Sequence, residues 1–416
     1  MSAEPIQASS EKLKKKSNYD LVIVGGGTVG CCMALAILRL LNQNSAATPT
    51  RIAIVEARQY DPTQPHPGFD GRAIALAGQS LDFLAQLGLQ QSIELVTEAI
   101  RHIHVSDRGF LGQCELNAEQ LGVPELGRVI ELHDFGRILH ETLKAENEDI
   151  IDWYCPDTLA EVHVQKDKVA LTTKTGKQLT ANLLLVTDGG ESGTRELLKL
   201  TPSIRDYEQV ALITNVRTSQ PHQQKAFERF TEHGPLAFLP MTDNRCSVVW
   251  TLPHGAQHEL LELSDGEFMQ RLQAAFGHRL GNITQVGERV VYPLRLVQAE
   301  GSYLHRVALL GNAAQTLHPI AGQGFNLGLR DVQDMLGCLF QAKEQGREFG
   351  DYRTLSEFRQ LRQKDSGTTI AATHGLVNLF SNRSIPLVMG RNLGLLAMQF
   401  LPAFKKPFAQ RAMGRR

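Results

Sequence analysis

Three glycines at a fixed spacing are the first residues of the chain that could do chemistry. Residues 25–30 have the sequence Gly-Gly-Gly-Thr-Val-Gly, which fits G-x-G-x-x-G through Gly25, Gly27 and Gly30. The first glycine permits a tight turn, the second lets the backbone approach a pyrophosphate, and the third allows close packing of a helix on a strand. A helix that begins here directs free N–H groups and its positive end at phosphate. The spacing therefore predicts a dinucleotide site.

Two strands and an acid are needed to position these glycines. Residues 20–25, Asp-Leu-Val-Ile-Val-Gly, form a short β-branched apolar run that is typical of a buried parallel strand. An apolar helical segment follows over residues 30–41, and residues 51–56, Arg-Ile-Ala-Ile-Val-Glu, predict a second strand. Glu56 ends that strand, where its carboxylate can accept hydrogen bonds from a ribose diol. Together these segments predict a βαβ unit with a right-handed crossover.

Two later segments combine glycines with polar residues directly after apolar runs. Residues 187–195, Thr-Asp-Gly-Gly-Glu-Ser-Gly-Thr-Arg, have the form D-G-x-x-S-x-x-R and follow the apolar residues 183–186. Residues 310–328, Leu-Gly-Asn-Ala-Ala-Gln-Thr-Leu-His-Pro-Ile-Ala-Gly-Gln-Gly-Phe-Asn-Leu-Gly, follow another apolar run, and Asp331 lies just beyond. Each segment alone is compatible with an ordinary turn, but with the glycine motif they favour FAD over NAD.

With these three fingerprints the chain resembles the FAD-dependent aromatic hydroxylases, the p-hydroxybenzoate hydroxylase-like flavin monooxygenases. The similarity is closer to the ubiquinone-biosynthesis branch of that family. It is carried by residues 66–76 (His-Pro-Gly-Phe-Asp-Gly-Arg-Ala-Ile-Ala-Leu), 226–240 (Ala-Phe-Glu-Arg-Phe-Thr-Glu-His-Gly-Pro-Leu-Ala-Phe-Leu-Pro) and 311–328. The resemblance covers nearly the whole chain after Tyr19.

The resemblance implies twelve FAD-binding residues. They are Gly25, Gly27, Gly30 and Glu56 for the ADP half, Arg72 for the phosphates, Asp188 and Gly189 near the pyrophosphate, Gly311 and Asn312 near the ribityl chain, and Gly322, Gly324 and Asn326 for the flavin ring. Asn312 departs from the wider family, which has an acid here, although an amide can also bond a hydroxyl. The backbone of residues 322–326 would face the flavin from a helix N-terminus.

The resemblance also implies a reaction. FAD would carry the chemistry, with one oxygen atom of O₂ passing to an electron-rich polyprenylated methoxyphenol. Because no second G-x-G-x-x-G follows another strand, NAD(P)H would bind transiently or act through an electron-transfer partner. The sequence identifies no catalytic base and no metal-ligand spacing. A non-catalytic prenyl-binding protein of the same fold and a flavin-dependent prenyl reductase remain alternatives.

The order of the segments predicts an α/β fold with a discontinuous Rossmann-type FAD-binding domain, residues 19–205 and 295–365. An inserted β-sheet substrate domain is predicted for residues 206–294, from strand-like runs at 210–214, 236–241 and 246–252 and a helix over 265–276. We expect residues 366–416 to form a basic helical segment and residues 1–18 a disordered tail.

The composition and charge of the chain indicate which partners and which cell compartment suit it. A formal net charge of -1 argues against a nucleic-acid binder, and six cysteines without a C-x-x-C pair predict free thiols in a reducing cytoplasm. Residues 366–416 contain seven Lys or Arg and no Asp or Glu, interleaved with apolar residues. This pattern suits an anionic membrane surface, so a peripheral position at the inner membrane face, near other quinone-biosynthesis proteins, is one interpretation. A helical bundle with a basic outer face is the other.

Overall fold

A computed structural model gives the architecture of the chain. It describes residues 18–42, 49–61, 63, 72–146, 150–299, 303–316, 322–381, 385–401, 405, 408–410 and 413–414. The tail predicted over residues 1–18 lies outside these residues, apart from Asn18, which already belongs to the first strand.

The strands follow one another along the chain as twenty segments within the described residues. They are β1 (Asn18–Val24), β2 (Ile52–Val55), β3 (Ala73–Ala77), β4 (Glu98–Ile100), β5 (His102–Asp107), β6 (Gln113–Asn117), β7 (Gly127–Glu131), β8 (Ile151–Tyr154), β9 (Leu159–Val164), β10 (Val169–Thr173), β11 (Gln178–Val186), β12 (Pro202–Thr218), β13 (Lys225–Thr231), β14 (Gly234–Met241), β15 (Arg245–Pro253), β16 (Ile283–Val286), β17 (Val290–Ala299), β18 (Tyr303–Leu304), β19 (Val307–Leu309) and β20 (Gln315–Thr316).

The helices lie mainly in the first half of the chain and at its C-terminal end. They are α1 (Thr28–Ala36), α2 (Gly78–Gln86), α3 (Gln90–Glu94), α4 (Ala118–Leu121), α5 (Leu132–Glu146), α6 (Gly193–Leu197), α7 (Ala256–Glu262), α8 (Asp265–Phe276), α9 (Gln323–Glu344), α10 (Tyr352–Ser381) and α11 (Ile385–Phe400). Helix α1 continues as a π-helical turn, Ile37–Asn42.

The first sheet is the predicted Rossmann-type sheet. Its parallel core has the order β8–β2–β1–β11–β19, with β18 antiparallel at one edge and the β9–β10 hairpin attached to β11. Val24 of β1 is level with Val55 on one side and Val186 on the other. Leu21 and Ile23 enter the core cluster on one face, and Val24 enters the cluster on the opposite face. Burial on both faces explains the unbroken apolar runs of these strands.

The second sheet has nine strands in the order β20–β17–β12–β15–β14–β13–β5–β6, with β16 also paired with β12. The pairs are antiparallel except β13–β5. Helix α8 covers one face, where Phe268 and Phe276 pack with Phe238. The other face is turned to a three-stranded sheet, β3–β7–β4, and Arg245 of β15 forms an ion pair with Glu131 of β7 at 2.9 Å. We call the layer between these two sheets the inter-sheet region.

The predicted α/β class, with an inserted sheet and a helical C-terminal segment, is confirmed, and so is the helix over residues 265–276. The nine-stranded sheet nevertheless extends beyond residues 206–294. Strands β5 and β6 come from within the predicted cofactor domain, and β12 and β17 each cross a predicted boundary. Pairing between segments so distant in the chain leaves no local signal in the sequence. The division into domains therefore stays a prediction.

The six cysteines are free thiols, as the sequence predicted, and five of them are buried. Cys31 and Cys32 of α1 lie in the main core cluster behind the glycine turn. Burial raises the pKa of both thiols, so they serve as packing residues rather than nucleophiles.

The C-terminal helices differ from the prediction in two ways. Helix α10 begins at Tyr352 and so runs across the predicted boundary at residue 366. The interpretation of a basic outer face is wrong for Arg391 of α11, which points inward: its Nε lies 2.7 Å from Oδ2 of Asp107, and both side chains are buried. Asn392 donates to the same carboxylate and accepts from the N–H of Gly112. In the part of the chain that the structure describes, no helix is long and apolar enough to cross a bilayer.

Replacement of Arg391 by methionine tests this buried contact. Removing one partner of a buried ion pair typically costs about 3–5 kcal/mol, because the other charge stays buried without compensation. We expect Arg391→Met to lower the free energy of unfolding by that order and to make α11 sensitive to protease. Arg353→Met is the control, since Arg353 is exposed and its pair with Glu357 is worth less than about 1 kcal/mol. Equal urea-unfolding midpoints for the two variants would contradict the prediction.

Candidate functional site

Four turns meet at one edge of the parallel sheet. They follow β1, β2, β11 and β19, and because these strands are parallel neighbours, their carboxyl ends lie side by side. Open α/β sheets bind ligands in the crevice outside this edge. Eight of the twelve predicted residues lie in or directly after these turns, namely Gly25, Gly27, Gly30, Glu56, Asp188, Gly189, Gly311 and Asn312, and Gly322 lies at the start of α9.

The three predicted glycines of this turn have two different roles: two of them allow the backbone to form the turn, and one leaves space for a ligand. Gly25 has φ +102°, and a Cβ there would lie 2.6 Å from the Thr187 carbonyl oxygen. A Cβ on Gly30 would overlap the Gly25 carbonyl oxygen. A Cβ on Gly27, the N-cap of α1, would meet no atom within 4 Å. Gly25 and Gly30 therefore allow the turn to form, and Gly27 leaves it open to a ligand.

Glu56 holds the glycine turn against the end of β2. Its Oε2 accepts the Gly26 N–H, and its Oε1 accepts the Arg58 N–H at 2.9 Å. The side chain is half-buried, and each carboxylate oxygen retains a second acceptor site. The predicted ribose acceptor is thus already oriented by the backbone of the turn.

The turn after β11 contains a buried acceptor without a donor. Oδ2 of Asp188 accepts the Thr194 N–H at 3.1 Å, whereas Oδ1 is buried and receives no hydrogen bond from any described residue. Gly189 beside it has φ +91° and open space where a Cβ would be. Buried polar atoms without partners are rare in folded proteins, so this oxygen indicates a ligand.

Thr187 and Arg195 are functional residues of this edge that the sequence analysis did not assign. Thr187 Oγ1 lies 2.9 Å from the Val24 carbonyl oxygen and 2.8 Å from that of Gly25, which joins β11 to the glycine turn. Arg195 is buried and donates to the carbonyl oxygens of Gly190 and Ala313. Arg195 therefore ties the Asp188 turn to the next turn. In the sequence, the place of Arg195 in the D-G-x-x-S-x-x-R pattern was the feature that could have indicated this role.

The turn after β19 is held in place by a hydrogen bond to a side chain of α9. Gly311 has φ +59°, and its N–H donates to Oδ2 of Asp331 at 2.7 Å. Asp331 is buried beside the Arg362 guanidinium, whose Nε lies 2.6 Å from Oδ1. Burial raises the pKa of Asp331 to about 6, although Arg362 opposes the shift. Asn312, the residue that departs from the family acid, is exposed at the site edge.

The turn that begins α9 is held by the side chain of Asn326. Its Oδ1 accepts from the Ala77 N–H and the Ser80 hydroxyl, and its Nδ2 donates to the carbonyl oxygens of Ala75 and Gly322, all at 2.7–2.8 Å. These bonds use the full capacity of the amide. Only the backbone of residues 322–326 can therefore face a ligand, and Gly324 leaves it uncovered.

Arg72 lies apart from the sheet edge, immediately before β3. Its guanidinium stacks over the ring of Tyr292 of β17, 4.6 Å from the ring centroid. Ala75 of the same strand contacts the turn at Gly322. Arg72 thus occupies the inter-sheet region close to the start of α9, rather than the glycine turn.

The chain matches known proteins over almost its whole length. The family described as "FAD binding domain" matches residues 18–348. The ubiquinone hydroxylase UbiL of Rhodospirillum rubrum is 33% identical, over 99% of this chain and 92% of that protein. The 3-demethoxyubiquinol 3-hydroxylase of Escherichia coli is 27% identical, over 95% of this chain and 98% of that protein.

Solved structures support the fold independently. The p-nitrophenol 4-monooxygenase PnpA of Pseudomonas putida superimposes with a TM-score of 0.76 at 17% identity, over 96% of this chain and 99% of that one. At this identity the likeness concerns the fold alone. The family match and the curated relatives confirm the resemblance drawn from the fingerprints. The chain belongs to the FAD-dependent monooxygenases of ubiquinone biosynthesis, and FAD is its cofactor.

Proposed function

We propose that the chain hydroxylates the aromatic ring of a polyprenylated methoxyphenol, with O₂ as the oxygen source. Electrons come from NAD(P)H, either bound transiently or through an electron-transfer partner. The observation that carries the proposal is the edge of four turns with the unpartnered Oδ1 of Asp188, in a chain that is 33% identical to a ubiquinone hydroxylase over 99% of its length.

The predicted residues at the sheet edge have settings that suit FAD, whereas Arg72 lies apart from that edge and the Asn326 side chain is fully bonded within the protein. The open backbone at Gly27 and the N-terminus of α1 would take the pyrophosphate, and Glu56 the adenosine ribose. Asp188 and Asn312 would bond the middle of the cofactor, and the backbone of residues 322–326 the flavin ring. When bound, FAD supplies O₂ activation and oxygen transfer; the chain binds, orients and excludes water.

The inter-sheet region is where a phenol ring would meet the flavin. It joins the turn at Gly322, through Ala75, to the nine-stranded sheet, and Arg72 and Tyr292 line it. A closed layer excludes water, which protects reactive species from side reactions. A polyprenyl tail adds about 0.8 kcal/mol per buried CH₂, so we expect it to leave the layer along apolar side chains.

Helix α11 and the β5–β6 hairpin present an apolar surface that we propose as a membrane-docking face. We define the docking face by five side chains: Met389, Leu393 and Phe400 of α11 and Phe110 and Leu111 of the hairpin tip. Their exposed fractions are between 51% and 90%. Arg391 of the same helix is turned inward, which is the reverse of an ordinary surface helix, whose charges face water.

An anionic bilayer is the occupant that the charges favour. Residues 366–416 carry basic side chains and no acid, and juxtamembrane basic clusters gain about 1 kcal/mol per residue near anionic lipid. Apolar side chains flanked by basic residues are the pattern of interfacial binding. A membrane position would also bring the enzyme to a substrate whose tail resides in lipid.

Two glycine substitutions separate folding from cofactor binding. We expect Gly30→Ala to destabilise the protein strongly, because the new Cβ would overlap the Gly25 carbonyl oxygen. Gly27→Ala should leave circular dichroism nearly unchanged, since its Cβ meets no protein atom, but should weaken FAD binding by at least about tenfold by blocking the phosphate approach. Fluorescence titration with FAD measures the second effect. Equal FAD affinity for Gly27→Ala and the parent would contradict the assignment.

The purified protein tests the proposed reaction directly. We expect a flavin absorption spectrum, and NAD(P)H oxidation that a short-chain 2-prenyl-6-methoxyphenol stimulates, with a hydroxylated product detected by mass spectrometry. Incorporation of one atom from ¹⁸O₂ would identify the oxygen source. NAD(P)H oxidation without hydroxylated product, both with and without an added reductase, would argue against the hydroxylase function while leaving FAD binding intact.

Vesicle sedimentation tests the docking face. We expect the protein to sediment with vesicles of phosphatidylcholine and phosphatidylglycerol and to stay in solution with phosphatidylcholine alone. Leu111→Asp should reduce binding at least about tenfold, because it removes apolar burial and adds a charge. The matched control is Leu95→Asp, immediately after α3, where the side chain is also highly exposed. If the parent protein does not bind anionic vesicles, the proposal of a membrane-docking face is wrong, and the result would point to a protein partner at this face.

A further inference from the structure

Glu228, in the middle of β13, is a carboxylate that the cofactor site does not explain. Its side chain is half-buried, and among the described residues none gives it a hydrogen bond or an ion pair. Even half-buried, an acid without a partner loses part of its hydration and gains no hydrogen bond in exchange. Such a group points to a ligand or to a chemical role.

Strand register places Glu228 on the inter-sheet face. Side chains alternate along a strand, and Phe227 packs in the cluster beneath α8, so Glu228 faces the opposite way. Its neighbours on that opposite face, Ala226 and Phe230, share a cluster with Ala73 of β3. Glu228 therefore lies on the face of β13 that looks into the inter-sheet region, where α10 also packs against β13 and the neighbouring β14 contacts β4 and β7.

The three-stranded sheet leads directly to the turn proposed for the flavin ring. Ala75 is two residues beyond Ala73 and lies on the same face of β3. Its carbonyl oxygen is 3.1 Å from where a Cβ on Gly322 would lie, and it accepts from Asn326 at 2.8 Å. A phenol ring between this turn and the nine-stranded sheet would lie in the layer that Glu228 faces.

Among the described residues, the strand neighbours of Glu228 are apolar, and the charges near this layer have other partners. Val105 of β5 and Ala237 of β14 are opposite Glu228 in register, and β14 contains no titratable residue. Arg229 of the same strand is on the other face. The described charged groups on this face and on the elements packed against it include Asp107 with Arg391, Arg245 with Glu131, Arg217 on the Asp243 carbonyl oxygen, Glu98 with Gln224, Arg72 over Tyr292, and Arg330 and Arg362 with Asp365.

Burial without a counter-charge raises the pKa of Glu228 to about 7, because the ionised form loses its water. A group with a pKa near the working pH is best suited to take up and return a proton. No base is apparent from the sequence, and this carboxylate lies on the face where one would act.

We propose that Glu228 is a catalytic residue that accepts the proton of the substrate's phenolic hydroxyl; this rests on the hydroxylase function proposed above. The phenolic O–H bond breaks, and its proton forms an O–H bond with the Glu228 carboxylate. The electron pair left on oxygen enters the ring and makes the attacked carbon electron-rich. One atom of O₂ bonds to that carbon as a hydroxyl, and the other leaves as water. NAD(P)H supplies the two electrons for this reduction, and solvent supplies the protons that the hydroxyl and the water take up. The ring carbon then loses its proton to solvent, and Glu228 returns its proton to the phenolic oxygen.

Glu228→Gln keeps the size of the side chain but cannot accept the proton. We expect normal FAD content and an approximately 100-fold lower rate of hydroxylated product, within the usual range for loss of a general base. In the parent, kcat/KM should rise with pH through about pH 7, since only the ionised carboxylate accepts a proton, and this rise should be absent in the variant. A phenol with an electron-withdrawing substituent, already ionised at neutral pH, should restore the rate of the variant.

Two controls separate chemistry from structure. Glu232→Gln, in the exposed turn after β13, should behave like the parent. Because burial raises the pKa of Glu228 from 4.5 to about 7, the folded state holds its proton longer than the unfolded state, and the stability of the parent falls as pH rises from 4.5 to about 7. Glu228→Gln should therefore raise the Tm near about pH 8.5 and leave it almost unchanged near about pH 4.

The outcomes distinguish the two proposals. A parent that forms no hydroxylated product refutes the hydroxylase function, and the role of Glu228 with it. A parent that hydroxylates, together with a Glu228→Gln variant of equal rate and equal pH profile, overturns the role of Glu228 alone. If that variant loses FAD, Glu228→Asp replaces it: a lower rate with the pH-dependent rise retained supports the base, and an unchanged rate overturns it.

Discussion

The contact between Gly30 and the Gly25 carbonyl oxygen sets the geometry on which the cofactor edge depends. It brings the first turn of α1 against the end of β1, closer than any side chain would allow. Thr187 then bonds the Val24 and Gly25 carbonyl oxygens, so β11 ends level with the same turn. This close approach directs helix N–H groups at the crevice and brings the Asp188 turn beside it.

Each further turn is fastened to its neighbour by a bond that is not part of a regular strand or helix. Arg195 joins the Asp188 turn to the residues after Gly311, and Asp331 holds Gly311 from α9. Asn326 then binds the start of α9 to β3. The edge is therefore shaped by the protein's own hydrogen bonds, and such preorganisation spares the ordering entropy that a loose loop would lose on binding.

The sequence was sufficient for the parts that depend on local pattern. The glycine spacing, the buried strands around it and the helix over residues 265–276 follow from periodicity and turn chemistry. Long-range pairing was not accessible in this way: nothing in residues 102–117 indicates that β5 and β6 join the nine-stranded sheet. The inward direction of Arg391 was missed for a similar reason, because its partner Asp107 is distant in the chain. Nor did spacing identify Glu228, whose character comes from burial alone.

Because β5 and β6 belong to the nine-stranded sheet, this sheet cannot be exchanged between related enzymes as one continuous segment of the chain. The chain enters that sheet once at residues 102–117 and again over residues 202–299, with cofactor-side elements between them. A chimera that transplants only the second stretch from a relative would pair its β13 with the β5 of another protein. The transplanted unit must therefore consist of both stretches, because the nine-stranded sheet is built from two separate parts of the chain.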